Sequence, residues 1–316
     1  MPNPTVSDVR QDSALNNLAI AYLPDATTHF AREVFASVDV SKKSGKYGIF
    51  DRGDFLRNDA QRRAPGTPAA RGGFNTSFGT YTAEEWAYEY VQPDEVRENW
   101  DLALDADRAG VAHVMEKLLI AQDAEFASTY LTTGVWDTDL TPSTKWDAAS
   151  GSDPIGEMRT ASRTILQGVG HNANVACIAQ DAWDVLQDHA DLLDRIKYTE
   201  KGIVTTDLLA SVLGLEKVVV AAGVYDSAAE GQTESMAFSA TDECLLVYAA
   251  QQPTIDTPSA GYIFSWTQFD QVRQGSAGIR SYREEKIKST VFGGCAYYDM
   301  AVTATGAGYF LNGVLT

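Results

Sequence analysis

SKKSGKYGIFDRGDFLRNDAQRRAPGTPAARGGFNTSFGT, residues 41–80, decides how the rest of the chain is read. Glycine and proline interrupt it throughout, so neither a helix nor a buried strand can run its length. Its apolar residues, Tyr47, Ile49, Phe50, Phe55, Leu56, Phe74 and Phe78, come singly or as adjacent pairs. Eight basic side chains (Lys42, Lys43, Lys46, Arg52, Arg57, Arg62, Arg63 and Arg71) stand against three acids, Asp51, Asp54 and Asp59. Irregular stretches beyond about 12–15 residues are uncommon within a compact domain. The expectation is a projecting hairpin that packs on something outside its own domain.

The stretch that follows has the opposite sign. Residues 84–125 hold twelve acids, among them Glu84, Glu85, Glu89, Asp94, Glu95 and Glu98, against Arg97, Arg108 and Lys117. The longest helical pattern lies inside it. Val111, Met115, Leu118, Leu119, Gln122, Phe126 and Tyr130 recur every three to four residues, which predicts a helix over 109–131 capped by Asp105 or Asp107.

Upstream, Leu15, Leu18, Ile20 and Leu23 form a loose apolar rhythm broken by Pro24, and 28–40 reads as extended. This arm has too little apolar surface to fold alone. Beyond a Gly/Ser/Thr/Asp-rich bridge (132–153) the chain reads as α/β. Helices are expected at 154–166, 181–196 and 206–213, and strands at 173–179, 216–222, 243–249 and 261–266, before a strand-rich tail from 278.

The 316 residues have ordinary globular composition, with 44% apolar and 22% charged. A net charge of −18 argues against sequence-independent nucleic-acid binding over the whole surface. No stretch approaches the ~18 apolar residues of a membrane helix. The start lacks a basic-then-hydrophobic signal layout, so a cytoplasmic product is expected. Cys177, Cys244 and Cys295 are odd in number and widely spaced, which offers no disulfide framework or paired zinc site.

Chemical motifs fail on context. Gly168-Val-Gly170-His-Asn-Ala173 matches a dinucleotide fingerprint as a string, but a helix precedes it and a strand follows, so it reads as a helix C-cap. Ser44-Gly45-Lys46 lacks the upstream glycine of a phosphate loop, and Arg52-Gly53-Asp54 reads as a turn. His29, His113, His171 and His189 form no metal-binding spacing; no metal and no cofactor are expected. Cys177 with His171 or His189 is the candidate nucleophile and base, set in an apolar strand where thiols are usually inert.

The order of these parts resembles the major capsid proteins of tailed bacteriophages with the HK97-type fold. The resemblance is carried by YLPDATTHFAREVFASVDV (22–40), SGKYGIFDRGDFLRNDAQRRAPGT (44–67), PDEVRENWD (93–101), DRIKYT (194–199), TPSAGYIFSW (257–266) and GIRSYREEKIKS (278–289). It implies an α+β fold with an N-terminal arm at 1–43, an E-loop at 44–90 and a peripheral domain with a spine helix at 91–154. An axial domain at 155–275 and C-terminal strands at 276–316 completing the peripheral domain follow.

The implied function is a structural coat protein, not an enzyme, forming hexamers and pentamers of an icosahedral shell around double-stranded DNA. Assembly is expected in the host cytoplasm, with a separate scaffolding protein, a portal and, optionally, a decoration protein. The packaged DNA is bound without sequence specificity, and no membrane is involved. Lys46, Tyr47, Phe50, Arg52, Phe55, Arg57, Arg62, Arg63 and Phe74 are the expected contacts of the E-loop with a neighbouring subunit. Glu84, Glu85, Glu89, Asp94, Glu95 and Glu98 are the acidic region it meets. The alternatives are an encapsulin-type compartment on the same fold and a cytosolic α/β enzyme using Cys177.

Overall fold

A computed structural model describes residues 29–98, 103–148, 150–196, 204–229, 231–250, 252, 258–267 and 278–316. The arm 1–28, and the parts of the quoted strings at 99–101, 197–199 and 257, lie outside these residues. Two five-stranded sheets organise the chain.

The first sheet is built on the strand Ser289–Val302, whose STVFGGCAYYDMAV is buried along most of its length. Its first half pairs antiparallel with both Gly278–Glu284 and Glu84–Pro93. Its last residues pair with Gly261–Trp266, which carries Ala36–Val40 in parallel. The long helix, Ala103–Tyr130, lies across this sheet and buries Val111, Val114, Met115, Leu118 and Phe126. At ~1.5 Å per residue it spans about 42 Å. Close approach is possible because the strand offers no side chain at one point of contact: a Cβ on Gly294 would stand 2.4 Å from Val114 Cγ1.

The second sheet runs Asp139–Leu140, Gly308–Asn312, Glu243–Val247, Val175–Ala179 and Lys217–Ala221 in spatial order. Helices Pro154–Val169, Gln180–Gln187 and Thr206–Leu213 pack against its members. Gly170 ends the first of these in a left-handed conformation at φ 78°, its N–H bonded to Leu166 O at 2.9 Å. That is the C-cap expected of the glycine-rich string.

Several elements differ from the sequence expectation. The helix begins at Ala103, six residues before 109, because LDADRA holds no breaker. Asp105 and Asp107 therefore lie inside it, and Asp107 accepts a hydrogen bond from Arg97 Nη2 at 2.7 Å instead of capping. The expected 181–196 helix is two, Gln180–Gln187 and Ala190–Ile196. Residues 84–90, expected in the projecting loop, belong to the first sheet. Glu84-Glu-Trp-Ala-Tyr-Glu-Tyr has the two-residue period of a half-buried strand, with Trp86 stacked on Tyr298 at 5.6 Å and Tyr90 against Gly110. Within the expected C-terminal completion of the peripheral domain, Gly308–Asn312 pairs instead with Glu243–Val247 of the second sheet. Gly261–Trp266, expected with the axial domain, joins the first sheet.

The extended stretch 28–40 contains a helical turn, Ala31–Val34, before its strand. A distant residue makes that turn. Asp123, buried on the long helix, accepts from the backbone N–H groups of Phe30 (3.2 Å) and Ala31 (3.0 Å) through Oδ1. Its Oδ2 meets His29 Nδ1 at 2.5 Å, and His29 Nε2 stands 3.5 Å from Glu116 Oε1. Phe30 and Phe35 then pack edge-on against Phe126 at 5.7 and 5.0 Å.

Candidate assembly interface

Strands Ser44–Phe50 and Thr76–Thr82 form a separate two-stranded antiparallel finger, with Ser44 opposite Thr82 and Phe50 opposite Thr76. At its root Gly45 faces Tyr81 and Gly79 faces Tyr47. Each tyrosine ring folds over the glycine opposite, where a Cβ would clash at 2.6 and 2.3 Å. Both rings stack on Phe264 of the first sheet, at 5.4 Å for Tyr47 and 4.8 Å for Tyr81. Tyr47 Oη donates to Val302 O at 3.3 Å, and Thr82 N donates to Asp299 Oδ2 at 2.7 Å.

Further out, Asp51 caps the short helix Arg52–Leu56 by accepting from Gly53 N at 2.8 Å, so the expected Arg52-Gly53-Asp54 turn is helical. Phe50, Phe55 and Phe74 form a mutual cluster with ring centroids 5.5–5.8 Å apart. Phe55, Phe74, Leu56 and Phe78 are each more than half exposed, and every residue over 57–75 is exposed. A contiguous aromatic surface of this kind, set among cations, is what a protein contact uses as an anchor.

Among the described residues Arg62 and Arg63 have no ion-pair partner, and Lys46 is exposed. Arg57 has only a long contact to Asp54, 3.8 Å. Two of the expected contact residues are engaged at home. Tyr47 turns inward at the root, and Arg52 Nη1 donates to Asp137 Oδ2 at 2.9 Å. Thr305 Oγ1 donates to the other oxygen of Asp137 at 2.6 Å, and Arg52 sits by Gly168, near the end of helix Pro154–Val169, whose carbonyls favour a cation.

The acidic set divides in the same way. Glu84, Glu85, Glu95 and Glu98 are exposed. Glu89 accepts from Tyr282 Oη at 3.1 Å. Asp94 is already matched by a two-pronged contact with the Arg283 guanidinium, whose hydrogen bond holds the carboxyl below the usual range. The charge available to a partner is therefore four or five carboxylates.

The catalytic alternative finds its residues apart. Cys177 is buried on Val175–Ala179, an interior strand of the second sheet, and burial pushes its thiol well above the ordinary value. His171 stacks on Tyr248 at 4.7 Å, and His189 bonds Ser152. Ser152, His189 and Asp191, a grouping missed in the sequence, resemble a hydrolytic triad in outline, with Ser152 Oγ 2.9 Å from His189 Nε2. The proton is on the wrong side. Asp191 N–H donates to Nδ1 at 3.2 Å, so the neutral ring carries its hydrogen on Nε2 and donates to the serine. A base for Ser152 needs a free lone pair at Nε2.

No protein-family profile matches the chain. It is 27% identical over 220 residues to the major capsid protein of Burkholderia phage BcepMu, covering 68% of this chain and 69% of that protein. Among solved structures it is similar to a phage-related protein from Bordetella bronchiseptica RB50, with a TM-score of 0.73, 22% identity, and 97% and 98% of the two chains covered. The capsid of cyanophage P-SCSP1u matches at a TM-score of 0.56 and 12% identity over 99% and 91% of the chains. A virus-like particle from Pyrococcus furiosus matches at 0.57 and 9% over 94% and 98%.

Proposed function

We propose that this chain, which belongs to the tailed-bacteriophage major capsid proteins with the HK97-type fold, builds its shell by laying the finger at 44–82 on a neighbouring copy. Its role is structural: copies assemble into the wall of a capsid. Head-to-tail contacts of one surface on another close into rings, which in this reading are the hexamers and pentamers of an icosahedral shell around double-stranded DNA. The finger's cations meet the exposed Glu84, Glu85, Glu95 and Glu98 of the neighbour, and Phe55 and Phe74 anchor between them. A separate scaffolding protein and a portal take part, in the host cytoplasm. The net charge of −18 suits a container that must not hold its DNA tightly.

The observation that carries this reading is the finger's exposed aromatic cluster, an apolar surface that the described residues of its own subunit leave uncovered. Negative-stain electron microscopy of the purified protein, alone and co-expressed with the neighbouring structural genes, tests it. Closed shells are expected, and Phe55→Asp with Phe74→Asp leaves folded subunits that do not close. Tubes, or shells holding a specific cargo enzyme in place of nucleic acid, would overturn it.

A further inference from the structure

The strand Glu84–Pro93 pairs with the central strand along one edge, and no described residue pairs with its other edge. Asp94 N donates to Lys288 O at 3.0 Å, which fixes the alternation: Glu84, Trp86, Tyr88, Tyr90 and Gln92 bond to the central strand. The N–H and C=O groups of Glu85, Ala87, Glu89 and Val91 therefore point away from the sheet. All four residues are exposed, and their side chains share the face opposite the long helix. The finger's own first strand covers this edge as far as Ala83, whose N–H donates to Lys43 O at 2.8 Å, and then leaves it bare. Edge strands are usually kept short or blunted by lysine or proline. This one runs ten residues, with its proline only at the far end.

The finger's outer end holds a segment of the complementary kind. Ala60-Gln61-Arg62-Arg63-Ala64 is exposed and lies in no helix or strand. Among the described residues nothing bonds to its N–H groups or to the carbonyls of 60–63. It carries two cations where the open edge carries Glu85 and Glu89. Successive residues of a strand point to opposite faces, so in any register one of Arg62 and Arg63 lies on the face of those glutamates. In its own subunit this end of the finger is held elsewhere, with Arg52 on Asp137 and Leu56 4.0 Å from a Cβ placed on Gly170.

We propose that residues 60–64 of one copy add as a strand to the open edge 85–91 of a neighbouring copy, extending its first sheet. Backbone hydrogen bonds supply the grip, and the arginines set the register against Glu85 and Glu89. The proposal rests on the reading of the finger as the contact between copies, and adds where on the neighbour it lands.

The test compares hydrogen exchange in the free full-length subunit and in closed shells, read residue by residue by mass spectrometry with electron-transfer fragmentation. In the subunit the amides of Glu85, Ala87, Glu89 and Val91 should exchange fast and those of Trp86, Tyr88 and Tyr90 slowly. In shells the first four are expected to slow by about tenfold or more, together with amides within 60–64. Equal rates in both states would overturn the proposal. In a second arm Ala87→Pro removes one outward donor and no bond to the central strand. Unchanged circular dichroism and about tenfold lower shell yield are expected, since the lost hydrogen bond recurs at every contact; a parental yield would overturn the proposal. In a third arm chains with p-benzoyl-phenylalanine in place of Ala87 assemble with an excess of nitrogen-15-labelled parent protein. Irradiation should link position 87 to residues 57–64 of heavy chains, and links to another segment or within the light chain would overturn the assignment. Each of these failures leaves the wider reading intact, because that reading fails only if the Phe55→Asp, Phe74→Asp variant closes shells or the parent protein closes none, an outcome that overturns both.

Discussion

Replacing Asp123 by alanine severs the joint between the arm and the long helix. The carboxylate is 3% exposed and serves three donors: Phe30 N, Ala31 N and His29 Nδ1. Loss of a cap costs about 1 kcal/mol. Removing one partner of a buried ion pair costs ~3–5 kcal/mol, because the other partner loses its nearer counter-charge, here leaving His29 only Glu116 at 3.5 Å. The two share the same atoms and do not add, so a total of about 3–5 kcal/mol is expected. That moves a urea midpoint by about 1 M or more. Urea titration of the free subunit at pH 6, followed by tryptophan fluorescence, reads it. Trp136 reports on the joint, since it lies 6.4 Å from the Phe35 ring that packs on Phe126.

The pH dependence has a definite sign. Burial pulls the His29 pKa down, but the hydrogen bond and charge of Asp123, then Glu116, more than restore it, and it ends above 6.5. The folded state therefore holds the proton more tightly than the unfolded one. The contribution is full below about pH 6.5 and is lost as pH rises through the folded value. Wild type should exceed His29→Gln most at pH 5.5, with the gap closing toward pH 9, and the trend should shrink on the Asp123→Ala background, where Glu116 alone remains to favour the proton. An Asp123→Ala protein within ~0.5 kcal/mol of wild type at pH 6 would refute the reasoning, since that is the range of inert surface changes.

Arg62→Glu with Arg63→Glu should leave subunit stability within ~0.5 kcal/mol, both residues being exposed and without an ion-pair partner among the described residues. It should lower shell yield at low salt and less so at 0.5 M salt; unchanged assembly at low salt, read by sedimentation, would remove the electrostatic part. Gly294→Val places a side chain into Val114 and Leu118 and should cost about 3 kcal/mol or more in a thermal melt. Cys177 should resist a thiol reagent in the folded protein and react only on unfolding, whereas rapid labelling would contradict its burial. Trypsin should cut the free subunit first within 57–71 and leave assembled shells intact there; equal cutting in both would count against the finger's role.

Local signals reached the elements they govern. Thr206–Leu213 has its Thr205 cap, with Leu208 N bonded to Oγ1 at 3.3 Å, and its Gly214 end at φ 73°. Val175–Ala179 and Gly261–Trp266 follow from short apolar runs. What escaped was set by partners far along the chain. Asp123 starts a helix whose first residue is 92 positions away, and no window of sequence contains both. The glutamates of EEWAYEYVQP give it the look of a charged loop, although its alternation is the stronger signal and marks a strand. In the finger the residue types were legible, but not that Tyr47 turns back onto Phe264 or that Arg52 finds Asp137, since both answers lie in later segments.

The strand Ser289–Val302 joins segments that begin near 84, 261 and 278. On the ribosome, the sheet beneath the long helix therefore has no middle until the end of synthesis. The helix emerges much earlier and must wait with Val111, Val114 and Leu118 uncovered. The chain thus leaves the exit tunnel half-finished, with an apolar helix face still exposed. Folding helpers in the producing cell are accordingly expected to set the yield.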